Sequence, residues 1–197
     1  MAELNRIVIL ASGRGSNFCA LADAVKNKII PNAVIAGLVC NKANAPVLKE
    51  AEFRGIPQHL LPSKTFLSKD GKFDRVFYED ALIEVIANLK PHWILLAGYM
   101  LILGPKVIHT FVGKIINIHP SLLPHFKGLR PLQQALDAKM KRVGCSVHWV
   151  TEELDGGAVL EQSALVVLES DTEATLAARL LPLEHDTYVR ALKKLCL

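Results

Sequence analysis

The chain has 197 residues, 51% of them hydrophobic, which predicts one domain with a substantial core and excludes a disordered chain. The formal net charge of +4 is modest, and the basic run at 139–142 lacks interleaved aromatic residues, so nucleic-acid binding is not expected. The longest apolar run, 93–103, is too short to span a bilayer, and residues 1–6 lack the pattern of a signal peptide. We therefore expect a cytoplasmic protein that does not bind membranes.

The spacing of cysteines and histidines does not indicate a metal centre. The four cysteines are far apart and form no C-x-x-C pair, and the seven histidines show no H-E-x-x-H or other ligand spacing. We expect the cysteines to be reduced core residues and no metal to be bound.

A glycine-rich turn follows the first predicted strand. An apolar run at 6–11 predicts a strand buried on both faces, and a helical pattern covers 18–26. A strand, a glycine turn and a helix in this order present backbone N–H groups to a phosphate. The dinucleotide fingerprint G-x-G-x-x-G fails because Phe18 stands at its third glycine position, and no Walker A ending occurs. We interpret the turn as a site for a single phosphate; the alternative is a tight turn that merely requires glycine. The residues assigned to this site are Gly15, Ser16 and Asn17.

Strand and helix patterns continue to alternate after this turn. Further strands are predicted at 34–40, 58–61, 93–97 and 114–117. Further helices are predicted at 44–53, between a cap at Asp74 and the stop at Pro91, and at 105–110. The helix after Asp74 is expected to bury an apolar face that includes Phe77. This alternation predicts a parallel, right-handed, doubly wound α/β sheet.

The pattern changes in the last third of the chain. The predicted elements are a helix at 131–139 and a hairpin-like antiparallel strand pair at 145–150 and 158–167. A final helix is expected to start at a capping box of Ser170 and Glu173 and to break or kink at Pro182. The predicted fold is therefore an α/β, mostly parallel sheet with an antiparallel C-terminal strand pair and a C-terminal helix.

An amide and an imidazole lie together at the end of the fifth predicted strand. Asn117 and His119 are two positions apart, so on an extended chain their side chains point to the same face. An amide can donate a hydrogen bond to an oxyanion, and an imidazole can also transfer a proton. The alternative is structural: His119 caps a turn and Asn117 satisfies loop backbone.

Three signals are expected to meet at one edge of the sheet. In doubly wound sheets, ligands bind beyond the carboxyl ends of the strands. The turn at 13–17, the segment at 99–103 and the pair at 117–119 each follow such an end. Asp155 lies in an acidic, glycine-flanked loop at 151–157, where a carboxylate taken alone is more typical of a turn.

Six motifs, in this order along the chain, resemble those of the phosphoribosylglycinamide formyltransferase family. They are Ser12-Gly-Arg-Gly-Ser-Asn17, Leu96-Ala-Gly-Tyr-Met100, Asn117-Ile-His-Pro-Ser-Leu-Leu-Pro124, Ser146-Val-His148, Asp155-Gly-Gly157 and Glu184-His185. The resemblance covers essentially the whole chain. It implies a Rossmann-like formyltransferase fold in a single domain, 1–197, with a phosphate-binding half at 1–110 and a catalytic and folate-binding half at 111–197.

The resemblance also implies a reaction. The formyl group of 10-formyltetrahydrofolate, the co-substrate, would pass to the amine of glycinamide ribonucleotide (GAR) in purine (IMP) synthesis. Neither a metal nor a nucleotide cofactor would be needed. The implied partners are these two small molecules, and the chain would be a monomer or a homodimer.

Site residues are implied by the same resemblance. The catalytic residues would be Asn117, His119 and Asp155, the last favouring the charged imidazole. The GAR-binding residues would be Gly15, Ser16, Asn17 and Glu184. The folate-binding residues would be Lys64, where the family usually has an arginine, together with Met100, Leu101, Ile102, Leu103, Asn117, Thr151, Glu152, Glu153, Leu154 and Asp155.

Some positions depart from the family pattern. The run from Gly128 to Leu132 lacks the usual small residue and histidine, Ala158 and Val189 replace prolines, and Pro182 falls where relatives continue the helix. Two alternatives stay open, a 10-formyltetrahydrofolate hydrolase and a Rossmann-like dinucleotide-binding protein. The second is disfavoured by Phe18 and by Asn41, which ends the second strand where an acidic ribose ligand is expected.

Overall fold

The computed structural model describes residues 4–197. Its strands are β1 (Asn5–Ala11), β2 (Ala33–Cys40), β3 (Gln58–Leu60), β4 (Trp93–Leu96), β5 (Ile115–His119), β6 (Arg142–Trp149) and β7 (Val159–Val166). Its α-helices are α1 (Ser16–Lys26), α2 (Val47–Phe53), α3 (Arg75–Asn88), α4 (Pro105–Thr110), α5 (Pro131–Asp137) and α6 (Glu173–Leu195). A 3-10 turn covers Ser63–Thr65.

The strands form one seven-stranded sheet in the order β3-β2-β1-β4-β5-β6-β7. β1 pairs in parallel with β2 and β4, and β2 pairs in parallel with β3. β6 runs antiparallel to both β5 and β7. The predicted fold class, mostly parallel with an antiparallel C-terminal part and a C-terminal helix, is therefore confirmed.

The chain divides into two compact units, the first ending at Ile115 and also including Cys196, the second beginning at Ile116. This division falls close to the predicted boundary between residues 110 and 111. The single-domain assignment stays a prediction.

β1 is the central strand of the first unit. Ile7, Val8, Ile9 and Leu10 are all fully buried. A parallel strand covered on both faces carries a continuous apolar run rather than an alternating one, which is why this segment was recognisable in the sequence. α1 follows directly and packs against β2, with Phe18 and Leu21 fully buried. The glycine turn between β1 and α1 therefore lies at the carboxyl end of a rigid strand.

α3 buries most of the predicted apolar face: Leu82 and Ile86, which continue that face, are fully buried, whereas Phe77 at its start is not. Asp74 caps the helix as expected, its side chain accepting a hydrogen bond from the Phe77 N–H at 3.0 Å. Phe77 itself is 59% exposed, however, and the buried positions are Tyr78, Glu79, Leu82 and Ile86. The prediction for Phe77 was wrong because its ring packs against Phe66 of the preceding surface segment, at a centroid distance of 5.2 Å. α2 also begins later than expected, at Val47, since a turn in which the Ala45 N–H donates to the Lys42 carbonyl precedes it.

β6 is the most buried strand of the second unit. It is buried from Val143 to His148, whereas β7 alternates between exposed and partly covered residues as an edge strand does. α6 packs against both of these strands. The predicted antiparallel strand pair is present with nearly the expected bounds.

The predicted capping box at the start of α6 and the predicted break at Pro182 were wrong, and the kink at Pro182 stays a prediction. Thr172, rather than Ser170, precedes the helix: its Oγ1 accepts from the Thr175 N–H at 3.3 Å, and its own N–H donates to Thr175 Oγ1 at 2.9 Å. The helix then continues unbroken through Pro182 to Leu195. Fully buried side chains precede and follow the proline, so packing holds both halves in register where one backbone bond is lost. These side chains are Leu176, Leu180, Tyr188 and Leu192.

None of the helices in the described part of the chain is both long enough and apolar enough to cross a membrane.

Replacing Pro182 with alanine tests this account of α6. The exposed alanine should restore the missing hydrogen bond, so Pro182→Ala should raise the free energy of unfolding by about 1–3 kcal/mol, less than the full helix cost because proline also restricts the unfolded chain. Urea unfolding measures the change. Ala178→Pro, at an exposed position on the same helix, should lower stability by about 3 kcal/mol. An unchanged or lower stability of Pro182→Ala would contradict the account.

Candidate active site

The second unit brings together the amide, the imidazole and the carboxylate singled out in the sequence. Asn117 and His119 lie on β5, and Asp155 lies in the loop that joins β6 to β7. The antiparallel pairing of β5 with β6 adds another imidazole, because it sets His148 directly opposite Asn117. Four polar side chains therefore cluster where β5 ends.

Asp155 lies between the two imidazoles. Its Oδ2 is 3.4 Å from His119 Nδ1, and its Oδ1 is 3.5 Å from His148 Nε2. The backbone N–H of Gly128 also donates to Oδ2 at 2.9 Å. Both oxygens of one carboxylate are thus used to hold two rings and a loop.

Asp155 stays ionised although it is only 9% exposed. Burial raises its pKa, but the hydrogen bonds from His148 and the Gly128 N–H, together with the charges of the two imidazoles, outweigh burial and hold the pKa below its usual value. The carboxylate therefore carries a full negative charge at neutral pH.

His119 has an acceptor at each ring nitrogen. Nε2 lies 2.9 Å from the backbone carbonyl of Phe126, which can only accept, so this nitrogen carries a proton. Nδ1 faces the carboxylate of Asp155. Because both nitrogens face acceptors, the surroundings accommodate the doubly protonated, cationic ring. The ring can therefore act as a hydrogen-bond donor and as an acid.

His148 connects Asn117 to Asp155. Its Nδ1 donates to the Trp149 carbonyl at 2.9 Å, and its Nε2 lies 3.2 Å from Asn117 Nδ2. A neutral His148 accepts a hydrogen bond from this amide, and a protonated one donates to Asp155 instead. In either state Asn117 lies beside His148 across the strand pair, and the amide carries a second N–H for a ligand.

The site depends on two further supports. Buried Ser146 donates to the Ser121 carbonyl at 2.6 Å and accepts from the Leu123 N–H at 3.0 Å, fixing the loop after His119. The Asp155 loop is held close to β6, since a Cβ on Gly157 would collide with the carbonyl of Trp149. Neither loop can shift without disturbing a group that contacts Asp155 or His119.

His148 is the residue to which the sequence assigned no role. The motif from Ser146 to His148 was visible, and the alternating strand pattern indicated that both side chains share a face. The pairing of His148 with Asn117 depends on the register of β6 against β5. This register cannot be deduced from either strand alone, because a long connection separates the two strands in the chain.

In the first unit, the glycine turn has a conformation that requires glycine. Gly15 has a φ of 84°, and a Cβ there would approach Val47 Cγ2 to 2.5 Å. Ser16 and Asn17 form the first turn of α1, and Gly15 at the N-cap has no side chain with which to cap it. Backbone N–H groups of a first helical turn have no partner within the helix, so this end favours an anion.

Ser12 connects this turn to the ends of two other strands. Its Oγ donates to Asn41 Oδ1 at 2.6 Å, just after β2, and accepts from the Met100 N–H at 2.9 Å, beyond β4. Within the first unit, the turn after β1 and the segment after β4 thus meet as expected for the carboxyl edge of a parallel sheet.

The remaining predicted site residues lie as follows. Met100 and Ile102 are exposed, at 65% and 63%, whereas Leu103 is buried. Lys64 is exposed on the 3-10 turn, and Glu184 is half-buried on α6. The exposed residues of the loop before Asp155 are Thr151, Glu152, Glu153 and Leu154, of which Glu153 accepts from Lys127 Nζ at 2.7 Å. No cluster of His, Cys, Asp and Glu within residues 4–197 is arranged to hold a metal ion.

An amide, two imidazoles and a carboxylate at a strand end can stabilise an oxyanion and move a proton. The sequence pattern of the formyl transferase family matches residues 5–192, and this chain belongs to that family.

Individual proteins with known names or structures are similar to this chain. The chain is 41% identical over 182 residues to phosphoribosylglycinamide formyltransferase of Escherichia coli (strain K12), a match that spans 92% of this chain and 82% of that protein. The crystal structure of phosphoribosylglycinamide formyltransferase from Brucella melitensis is 43% identical, with a TM-score of 0.88 over 98% of this chain and 96% of that one. A formyltetrahydrofolate deformylase from Pseudomonas syringae pv. tomato is 26% identical with a TM-score of 0.88, but the match covers 62% of its chain.

The low pKa of Asp155 predicts how acid affects the fold. An ionised Asp155 stabilises the protein fully above its unfolded pKa, about 3.9, and this contribution is lost as the pH falls through the lower folded value. Below about pH 4, the wild type should therefore lose stability more steeply than Asp155→Asn. Urea unfolding from pH 6 down to pH 3 measures both slopes. Asp70→Asn, at an exposed turn, serves as the matched control and should follow the wild type. Parallel curves for wild type and Asp155→Asn would contradict the assignment.

Proposed function

We propose that this chain transfers the formyl group of 10-formyltetrahydrofolate to the amine of GAR, giving formyl-GAR and tetrahydrofolate in purine (IMP) biosynthesis. The observation that carries the proposal is the set of Asn117, His119 and Asp155 joined at the end of β5 in a chain of the formyl transferase family. The named relatives at about 40% identity support GAR as the acceptor. The proposal includes a cytoplasmic monomer or homodimer that uses the folate as co-substrate without a nucleotide cofactor.

The chemistry needs stabilisation of an oxyanion and movement of a proton. The neutral amine of GAR attacks the formyl carbon, a new C–N bond forms, and the carbonyl oxygen becomes an oxyanion. The second N–H of Asn117 donates to this oxygen, and the cationic His119 donates beside it. Breakage of the bond from the formyl carbon to N10 of the folate completes the transfer, and the proton lost by the amine replaces the formyl group on the folate.

Asp155 supports His119 in this scheme. A fully ionised carboxylate beside Nδ1 favours the charged imidazole, since opposite charges attract most strongly in a buried site. His119 Nε2 donates to the Phe126 carbonyl in the structure, so donation to the substrate oxygen exchanges one acceptor for another. The Nε2 proton of His119 thus has a hydrogen-bond acceptor both before and during the reaction.

Substrate binding is assigned to groups in each unit. The backbone N–H groups at Gly15, Ser16 and Asn17 hold the phosphate of GAR, because the N-terminus of α1 offers donors and a favourable dipole. Glu184 of α6 is assigned to the same substrate. The residues assigned to the folate are Lys64, the segment at 100–103, Asn117 and the loop at 151–155. Lys64 contributes a positive charge for the folate carboxylates.

The assay that tests the proposal also separates it from hydrolysis. Release of tetrahydrofolate from 10-formyltetrahydrofolate is followed spectrophotometrically with and without GAR. We expect release only when GAR is present, together with a stoichiometric amount of formyl-GAR. Release that proceeds equally without GAR would overturn the transferase assignment in favour of the hydrolase, the alternative represented by the more distant deformylase.

Removing either donor to the oxyanion should abolish most activity. His119→Ala and Asn117→Ala should each lower kcat about 100-fold, the scale of losing one oxyanion donor. The KM values should change less, since the lost hydrogen bonds are strongest in the transition state. His109→Ala, on the exposed face of α4, is the control and should retain wild-type turnover. Near-normal kcat in either variant, with folding confirmed by urea unfolding, would remove that residue from the mechanism.

A further inference from the structure

A buried carboxylate in the first unit holds the segment after β4. Glu79, on α3, is only 6% exposed. Its Oε1 accepts from the backbone N–H of Gly104 at 2.8 Å and from Arg75 Nη1 at 3.3 Å. The same Arg75 nitrogen donates to the backbone carbonyl of Ile102 at 2.7 Å. Two side chains one helical turn apart therefore contact the backbone of one short segment at two points.

The contact with Gly104 leaves no room for a side chain. A Cβ at this position would collide with both carboxylate oxygens of Glu79. Gly104 has a φ of −84°, which any residue can adopt, so the requirement for glycine comes from the approach of the carboxylate and not from the backbone angle. The close approach of the Glu79 carboxylate therefore requires a glycine at position 104.

The segment at 100–104 depends on these contacts for its position. It connects β4 to α4, and its backbone is held at Met100 by Ser12, at Ile102 by Arg75 and at Gly104 by Glu79. All three contacts come from side chains. The side chains of Met100 and Ile102, by contrast, project outward and are largely exposed. Polar contacts on the backbone thus fix an apolar surface that is open to a ligand.

We infer that Glu79 is a positioning residue for the folate. It touches neither substrate; it sets the placement of Met100 and Ile102 through the Gly104 N–H and through Arg75. Burial of a carboxylate is unfavourable unless hydrogen-bond donors or an opposite charge compensate for the lost water. Here the Gly104 N–H and Arg75 provide this compensation, and both of them hold the segment. The inference rests on the proposed function, because the segment is assigned to the folate there.

Variants at position 79 test the inference by comparing the two substrates. Glu79→Ala removes both contacts and should raise the KM for 10-formyltetrahydrofolate about tenfold or more, the scale of an unpaired buried donor. The KM for GAR should stay within about twofold and kcat within about threefold, because groups acting on the reacting atoms are untouched. Glu79→Gln keeps an acceptor for the Gly104 N–H but loses the charge pairing with Arg75, so it should raise the folate KM by a smaller factor, about threefold.

A neighbouring residue supplies the matched control. Asp80, next on α3, forms an ion pair with Lys106 of α4 at the surface, so Asp80→Asn removes a link between these helices without touching the segment. It should behave as the wild type. Calorimetric titration with 5-formyltetrahydrofolate, a non-donor folate, checks that the change lies in binding, and thermal unfolding identifies a temperature at which every variant is folded.

The outcomes separate this inference from the proposed function. A wild type that shows no GAR-dependent formyl transfer would defeat the function, whatever position 79 does. An active wild type whose Glu79→Ala variant keeps its folate KM, or loses affinity for both substrates equally, would overturn the positioning role. If Glu79→Ala does not fold, Glu79→Gln decides: it loses the arginine pairing and should still raise the folate KM alone, and a KM unchanged from wild type would overturn the inference.

Discussion

The charge on Asp155 is the interaction on which the site of the second unit depends. One carboxylate faces His119 through one oxygen and His148 through the other, and the same group accepts from the backbone of Gly128. Burial opposes this charge, and the surrounding donors maintain it. The rings of His119 and His148 and the loop beside them are therefore positioned by a single anion.

The reversal of strand direction at β6 makes this arrangement possible. An antiparallel partner places residues of opposite chain direction face to face, so the pairs Asn117–His148 and His119–Ser146 form directly across the ladder. Ser146 then holds the loop after β5 while His148 holds the amide on it. A parallel strand would need a crossover connection before the chain could return to this edge. The antiparallel strand thus brings the side chains of the candidate site together.

The sequence predicted the parts of the molecule whose signal is local. The continuous apolar run of β1, the glycine turn and the spacing of Asn117 and His119 each arise from a few neighbouring residues, and all lie where expected. The role of His148 depends on strand register, and that of Glu79 on which face of α3 is buried. A glutamate on a helix is usually solvated, and Phe77 is the more apolar residue, so the helical pattern placed Phe77 on the buried face and missed Glu79. The break predicted at Pro182 was wrong for a related reason. Buried side chains on both sides of the proline stabilise the helix more than the proline destabilises it locally.

The hydroxyl of Ser12 joins two loops of the first unit that are far apart in the chain. Its proton is donated to Asn41, so its lone pairs are what remain for the backbone of Met100. Ser12 is also the first residue of the glycine turn. Two backbone hydrogen bonds hold this turn: the Ser12 N–H donates to the Gly98 carbonyl, and the Val47 N–H donates to the Gly13 carbonyl. The turn and the segment beyond β4 are therefore joined as one mechanical element: a displacement of either is transmitted to the other through one residue, by the backbone N–H and the hydroxyl of Ser12.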